Sequence, residues 1–171
     1  MLKEVYYALF YSYIRYGIVT WGNASDILLN TLRVLNHRAA RIMTFAPFGR
    51  IDVNPLLNYL EILDIDNIFS LETTKLVFKL KKEMIALPLS NYFEVRNQNA
   101  THSYNLRHRN RTEQPIIHRT SYALKSLQYR TPFVWNDIPD HLKCCETLSS
   151  FKKQLKSHLL ELQCTEGNVS L

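Results

Sequence analysis

Seven Arg or Lys stand between Arg96 and Arg130 (Arg96, Arg107, Arg109, Arg111, Arg119, Lys125 and Arg130) against one acid, Glu113. This stretch alone carries +6, equal to the formal net charge of the 171-residue chain. His102, His108 and His118 lie among these cations, and Tyr104, Tyr122, Tyr129, Phe133 and Trp135 are interleaved or follow closely. That mixture suits a phosphate-rich polymer, because cationic groups neutralise phosphates while ring faces stack on bases. A solvated basic loop has the same composition, and the pattern leaves both open. A second basic set is Arg33, His37 and Arg41, spaced i, i+4 and i+8, with Arg38 beside them. On a helix such a row follows one face, rising about 1.5 Å per residue. It can track a phosphate backbone or form the solvated back of an amphipathic helix.

Other chemistry lacks its residues. Two-metal phosphoryl transfer needs clustered carboxylates, and the sequence has no Asp-Asp or Glu-Asp pair. Asp64-Ile-Asp66 comes nearest, but its place just before a helical run points to capping. A P-loop, a GxGxxG run and a GxSxG elbow are absent. His141, Cys144, Cys145 and His158 have no second pair at zinc-finger spacing, so no metal site is expected, and no Cys stands in a local arrangement with His that would make it a nucleophile. The chain is expected to need no cofactor, to take no small-molecule substrate and not to be an enzyme by itself.

The elements that must position these residues are mostly helical. Apolar content of 46% and charged content of 21% are ordinary globular values. Charge is uneven: +4 over residues 1–50, −3 over 51–95, +6 over 96–130 and −1 over 131–171. An acidic middle between two basic regions fits a single anionic partner or chance clustering. Three cysteines, two of them adjacent, make a poor disulfide framework and suit a reducing, intracellular compartment. Residues 5–21 are the most apolar run, but Arg15 interrupts them, and a buried helix is expected rather than a membrane span.

Apolar positions from Leu2 to Gly17 follow a helical period, predicting a helix over 2–20 that Trp21-Gly22-Asn23 ends through a left-handed residue. Its aromatics belong to a core or to a base-stacking platform. Ser25 or Asp26 caps a second helix reaching Phe45, with Ile27, Leu28, Leu32, Leu35, Ala39, Ile42 and Met43 inward. Asn54-Pro55 opens a short helix through Leu60. Asp64 or Asp66 opens a long one to about Ala86, with Ile68, Phe69, Leu76, Leu80 and Met84 inward and Lys75, Lys79 and Lys82 outward. One further turn is expected over Leu89 to Phe93. From Arg96 the period is lost, apart from a short strand around Ile116-Ile117. A single turn is expected from Pro132 to Asp137. A last helix runs from Thr147 or Ser149 to Leu162, burying Leu148, Phe151, Leu155, Leu159 and Leu162, and the tail from Cys164 frays. The fold class is therefore mainly α: a helical unit over 1–95, then a basic aromatic segment over 96–171 with little β, closed by an amphipathic helix.

Laid out in order, the segments YYALFYSYIRYGIVTWGN (6–23), LRVLNHRAARIM (32–43), YLEILDI (59–65), HSYNLRHR (102–109), YRTPFVWNDIP (129–139) and LSSFKKQLKSHLL (148–160) resemble the region downstream of the palm in non-LTR retrotransposon reverse transcriptases of the LINE, jockey-like type. In that family the catalytic aspartates lie upstream, in the palm. The resemblance implies a helical thumb-like unit that grips template-primer, with Arg15, Arg33, Arg38 and Arg41 in it, followed by C-terminal motifs holding Arg107, Arg109, Trp135 and Asn136. It implies RNA or an RNA–DNA hybrid as partner, a polymerase palm from another chain as a second partner, and a nuclear location if the mobile-element role is kept. Thr131 and Leu106 depart from the family pattern, which more usually has Gly and Thr there. The expected nucleic-acid contacts are Arg33, His37, Arg38, Arg41, Arg107, Arg109, Arg111, Arg119 and Arg130. Trp135 and Asn136 also have a structural reading, the indole filling a core against Phe133 and the last helix. The alternatives in function are a protein-interaction module, whose interface is the aromatic first helix, and the functionless relic of a truncated element.

Overall fold

The structure, a computed structural model, describes residues 1–47, 52–84 and 126–167. Most of these are helical, and none lies in a strand. The fold is mainly α. Two compact units are formed, residues 1–72 with 152–171, and residues 73–151. The boundary expected at 95/96, the turn over 89–93 and the strand at 116–117 lie outside the described residues.

In the first unit, residues 2–15 form one helix (α1) built of an α-turn Leu2–Val5, a π-helical stretch Tyr6–Tyr11 and an α-turn Ser12–Arg15. It stops earlier than its period predicts. Tyr16 turns extended and Gly17 takes φ 66°, the left-handed conformation that costs a residue with a Cβ about 1–2 kcal/mol. A short helix α2, Ile18–Trp21, follows, and the Trp21 indole N–H donates back to the Tyr16 carbonyl at 2.9 Å. Neither Gly22 (φ −65°) nor Asn23 takes the left-handed conformation expected of one of them. Gly22 is needed for space, since a Cβ there would collide with the Phe69 ring and the Ile18 carbonyl.

Helix α3, Asp26–Thr44, follows Ser25 as predicted. Its fully buried residues are Leu29, Asn36 and Ala40; of the stripe expected inward, Ala39 and Met43 pack against the core, whereas Ile27, Leu28, Leu35 and Ile42 are exposed. One buried position on this face is polar. The Tyr6 hydroxyl donates to Asn36 Oδ1 at 2.7 Å, and Asn36 Nδ2 donates to the Leu63 carbonyl at 3.3 Å, so this amide is buried with partners. Tyr6, Ala40, Val53, Leu57 and Ile62 form a core cluster, with Tyr7, Phe10, Tyr11 and Met43 packed against it.

Helix α4, Asn54–Tyr59, carries Pro55 in its first turn, where the missing N–H costs nothing, and the Asp52 carboxylate accepts from the Asn54 N–H at 3.1 Å. Helix α5, Ile65–Lys81, was predicted amphipathic. Burial extends over more of it than one stripe: Ile65, Ile68, Phe69 and Leu71 in the first unit, and Val77, Phe78 and Leu80 in the second, while Asp66 and Lys81 are exposed. Lys75, expected outward, is 5% exposed, whereas Met84, expected in the core, is exposed. Three helix ends share one device. After α3, α4 and α5 the N–H of Ala46, Ile62 and Met84 reaches back five residues to Arg41, Leu57 and Lys79, with Phe45, Glu61 and Glu83 left-handed between. These are Schellman caps made without glycine.

The second unit adds α6, Leu127–Asn136, and α7, Asp140–Lys143. The turn predicted to start at Pro132 is longer, because Ser126 Oγ caps it by accepting from the Tyr129 N–H at 3.3 Å, and Pro132 falls inside. Trp135 is 3% exposed and lies 6.2 Å from Phe151, which stacks on Phe78 at 4.4 Å. Phe133, the other expected neighbour of the indole, sits against Tyr129 at 5.1 Å.

Helix α8, Leu148–Gly167, is longer than predicted and takes in residues expected to fray. Phe151 belongs to the second unit; in the first unit Leu155 and Leu159 are buried, and the next member of this i+4 register is Gln163 at 4% exposure, with Leu162 exposed. Gln163 Oε1 accepts from the Asp64 N–H (3.0 Å) and Asn67 Nδ2 (3.1 Å), while Nε2 donates to Asn58 Oδ1 (3.0 Å) and the Ile62 carbonyl (3.3 Å). One side chain thereby ties α8 to α4, α5 and the loop between them.

Candidate nucleic-acid interface

The row on α3 meets protein. Arg33 lies seven residues after Asp26, two turns along α3, and opposite the first turn of α5. Its Nε and Nη2 donate to the two Asp66 oxygens, each at 2.8 Å, and Nη2 also lies 3.4 Å from Asp26 Oδ1. Hydrogen bonding to Asp66, above all, raises the guanidinium pKa beyond its already high value. One turn on, His37 Nε2 stands 3.7 Å from Asp64 Oδ1, an electrostatic approach too long for a hydrogen bond. Burial pushes the Asp64 carboxyl up, but proximity to His37, the Ile65 N–H and Asn36 outweigh it and hold the group below its ordinary value. Arg41 is half-buried with interactions of its own. Arg38, off this line, is exposed.

A row read as tracking phosphate or facing solvent thus has two members matched with acids at the start of α5. The signal lay in Asp64-Ile-Asp66, whose spacing looked like capping alone. Arg15, implied by the resemblance to lie in the same unit, bonds Glu72 at 3.0 Å. Of the remaining expected contacts, Arg130 is exposed on α6. Arg107, Arg109, Arg111 and Arg119 lie outside the described residues. The structure brings Arg33, His37 and Arg41 onto one side of α3 and places Arg130 in the other unit.

The aromatics of the first 21 residues divide between core and surface. Tyr6 is buried, and Tyr7 and Tyr11 are partly so. Burial raises all three phenol pKa values, Tyr11 to about 12. Tyr13 and Tyr16 are exposed, at 82% and 86%.

Sequence reasoning did not find a second cationic cluster. Lys81, at the end of α5, places its Nζ 4.8 Å from the Trp135 ring centroid, and Lys143, at the end of α7, places its Nζ at 6.0 Å. More than fifty residues separate Lys81 from Trp135, so no local spacing announces the cluster. Cys144, Cys145 and Cys164 are free thiols, and among the described residues no group of three or more His, Cys, Asp or Glu gathers as metal ligands. No helix among them is long and apolar enough to cross a membrane. Neither a protein-family model, nor a curated protein, nor a solved structure matches the chain.

Proposed function

We propose that the chain is a non-catalytic part of a retrotransposon RNA-directed DNA polymerase, a thumb-like helical unit with a basic C-terminal segment that binds template-primer nucleic acid. The observation that carries this reading is the +6 charge with interleaved rings over residues 96–130, set in the ordered run of segments that resembles the post-palm region of non-LTR reverse transcriptases. A mainly helical architecture is compatible with a thumb. On α3 the exposed cation is Arg38, whereas Arg33 and His37 face acids.

Binding of the purified chain to a labelled RNA–DNA hybrid tests it. With about five phosphates neutralised, affinity falls by roughly two to three decades between 50 and 200 mM salt. Charge reversal at Arg107, Arg109 and Arg111 together weakens binding while helical circular dichroism is kept. A flat salt response would remove the mechanism.

A protein-docking module is a second reading, favoured by one observation. Leu2, Val5, Leu9 and Tyr13 recur along α1 at three- and four-residue steps, and all four are exposed. Self-association of the chain that Leu9→Glu abolishes, with no affinity for the hybrid, would favour it over the first.

A further inference from the structure

Around Trp135 the charges do not balance. Lys81 and Lys143 both direct an ammonium to the one indole ring, an arrangement that the ring quadrupole favours for each cation separately. Together the two like charges repel. Lys143 has a partner, Asp140 Oδ1 at 3.0 Å, but that carboxylate is 73% exposed and weakly held. Lys81 pairs with no carboxylate among the described residues. Partial burial, and then the charge of Lys143, lower its pKa. The indole N–H of the same ring is buried without an acceptor among the described residues. The cluster thus has one cation without a carboxylate partner and one indole donor without an acceptor among the described residues.

We propose that Lys81 and Lys143 form a binding site for a phosphate-type oxyanion, with the Trp135 ring as its wall. An oxyanion held beside the ring by either ammonium gains a charge-assisted hydrogen bond and offsets the like charge of the pair. Lys gives a point charge without a fixed fork, so the site selects charge more than shape. The inference goes beyond the nucleic-acid reading and does not rest on it, because none of its residues belongs to the α3 row or to residues 96–125.

The test uses the full chain carrying Trp21→Phe, which leaves Trp135 as the single indole. Its fluorescence and its indole N–H resonance are followed at constant ionic strength, first with pyrophosphate and then with a ten-nucleotide oligothymidylate. A saturable change is expected, weakened about tenfold or more by Lys81→Gln and by Lys143→Gln and kept by Lys81→Arg. Response to pyrophosphate alone assigns the site to free oxyanions, and response to both assigns it to the phosphates of a polynucleotide. Lys81 ends its helix on the solvent side, so Lys81→Gln folds even if Lys143→Gln does not. No saturable change with either probe, or the same affinity in Lys81→Gln as in its parent, would overturn the proposal.

Discussion

Gln163 in the first unit and Thr131 in the second are both shut away from water, yet the amide has four hydrogen-bond partners and the Thr131 hydroxyl has none. The same contrast separates Asn36, bonded to Tyr6 and Leu63, from Thr73, whose hydroxyl is buried and unpartnered. In the first unit buried amides fix which turn of one helix meets which turn of another. In the second, around Trp135, packing of rings does most of the work: Phe78 on Phe151, and Trp135 tilted against Phe151. Among the described residues of the second unit the Thr73 and Thr131 hydroxyls and the Trp135 N–H have no hydrogen-bond partner, whereas buried Thr74 and Lys75 have interactions of their own. Changing Gln163 and changing Thr131 should therefore have opposite signs.

The largest expected effect is from Gln163→Leu. The helical register Leu155, Leu159, Gln163 makes leucine look like an improvement, since it completes an apolar face. It would instead leave the Asp64 N–H, Asn67 Nδ2, Asn58 Oδ1 and the Ile62 carbonyl without this partner. With one to three kcal/mol typical for each buried group orphaned, and some relaxation, a loss of about 3 kcal/mol is expected. Urea unfolding of the variant beside the parent measures it. A stabilised variant would mean that the four contacts do not hold the first unit in register.

That case shows where sequence was legible. Signals spanning four or five residues were read correctly: Ser25 before α3, Asn54-Pro55 at α4, and the Phe151, Leu155, Leu159 stripe of α8. What failed was set by partners about thirty to a hundred residues away. Asn36 is buried because Tyr6 and Leu63 supply its partners; Lys75 of α5, expected outward, is enclosed by elements that its own sequence does not mention; and Arg33 and His37 of α3 face Asp66 and Asp64. The early stop of α1 is different, since Gly17 was visible but Trp21-Gly22-Asn23 offered a stronger local stop. As for the site, the cations over 96–125 are legible only as composition, and Lys81 with Lys143 not at all.

A smaller effect sharpens the comparison through pH. Tyr6 and Tyr11 have phenol pKa values raised mainly by burial, Tyr11 to about 12, against about 10 in the unfolded chain. A group whose pKa is raised on folding gives its full stabilisation below the unfolded value and loses it as pH climbs through the folded one. Stability of the parent should hold to about pH 10 and then fall steeply toward pH 12. Tyr6→Phe leaves Asn36 Oδ1 without its donor and costs about 1–2 kcal/mol at pH 7. Its alkaline slope, from urea midpoints taken between pH 9 and 11.5, should be shallower than the parent's. Parallel slopes would show that Tyr6 ionises as easily folded as unfolded, contrary to its burial.

The smallest effect should have the opposite sign. Thr131→Val keeps the β-branched shape on α6 and replaces an unpartnered hydroxyl, fully enclosed at 1% exposure, with a methyl group. Nothing among the described hydrogen bonds is broken, and a desolvated oxygen is removed, so a gain of about 1 kcal/mol is expected. The neighbouring Pro132 already fixes the backbone here, which limits any compensating shift. Thermal and urea unfolding of Thr131→Val, alone and combined with Gln163→Leu, decide the point. Additive changes of opposite sign would establish that the bonded Gln163 amide stabilises the fold and the unpartnered Thr131 hydroxyl does not. A destabilised Thr131→Val would mean that the hydroxyl holds an internal water, and that the second unit, like the first, is organised by polar contacts.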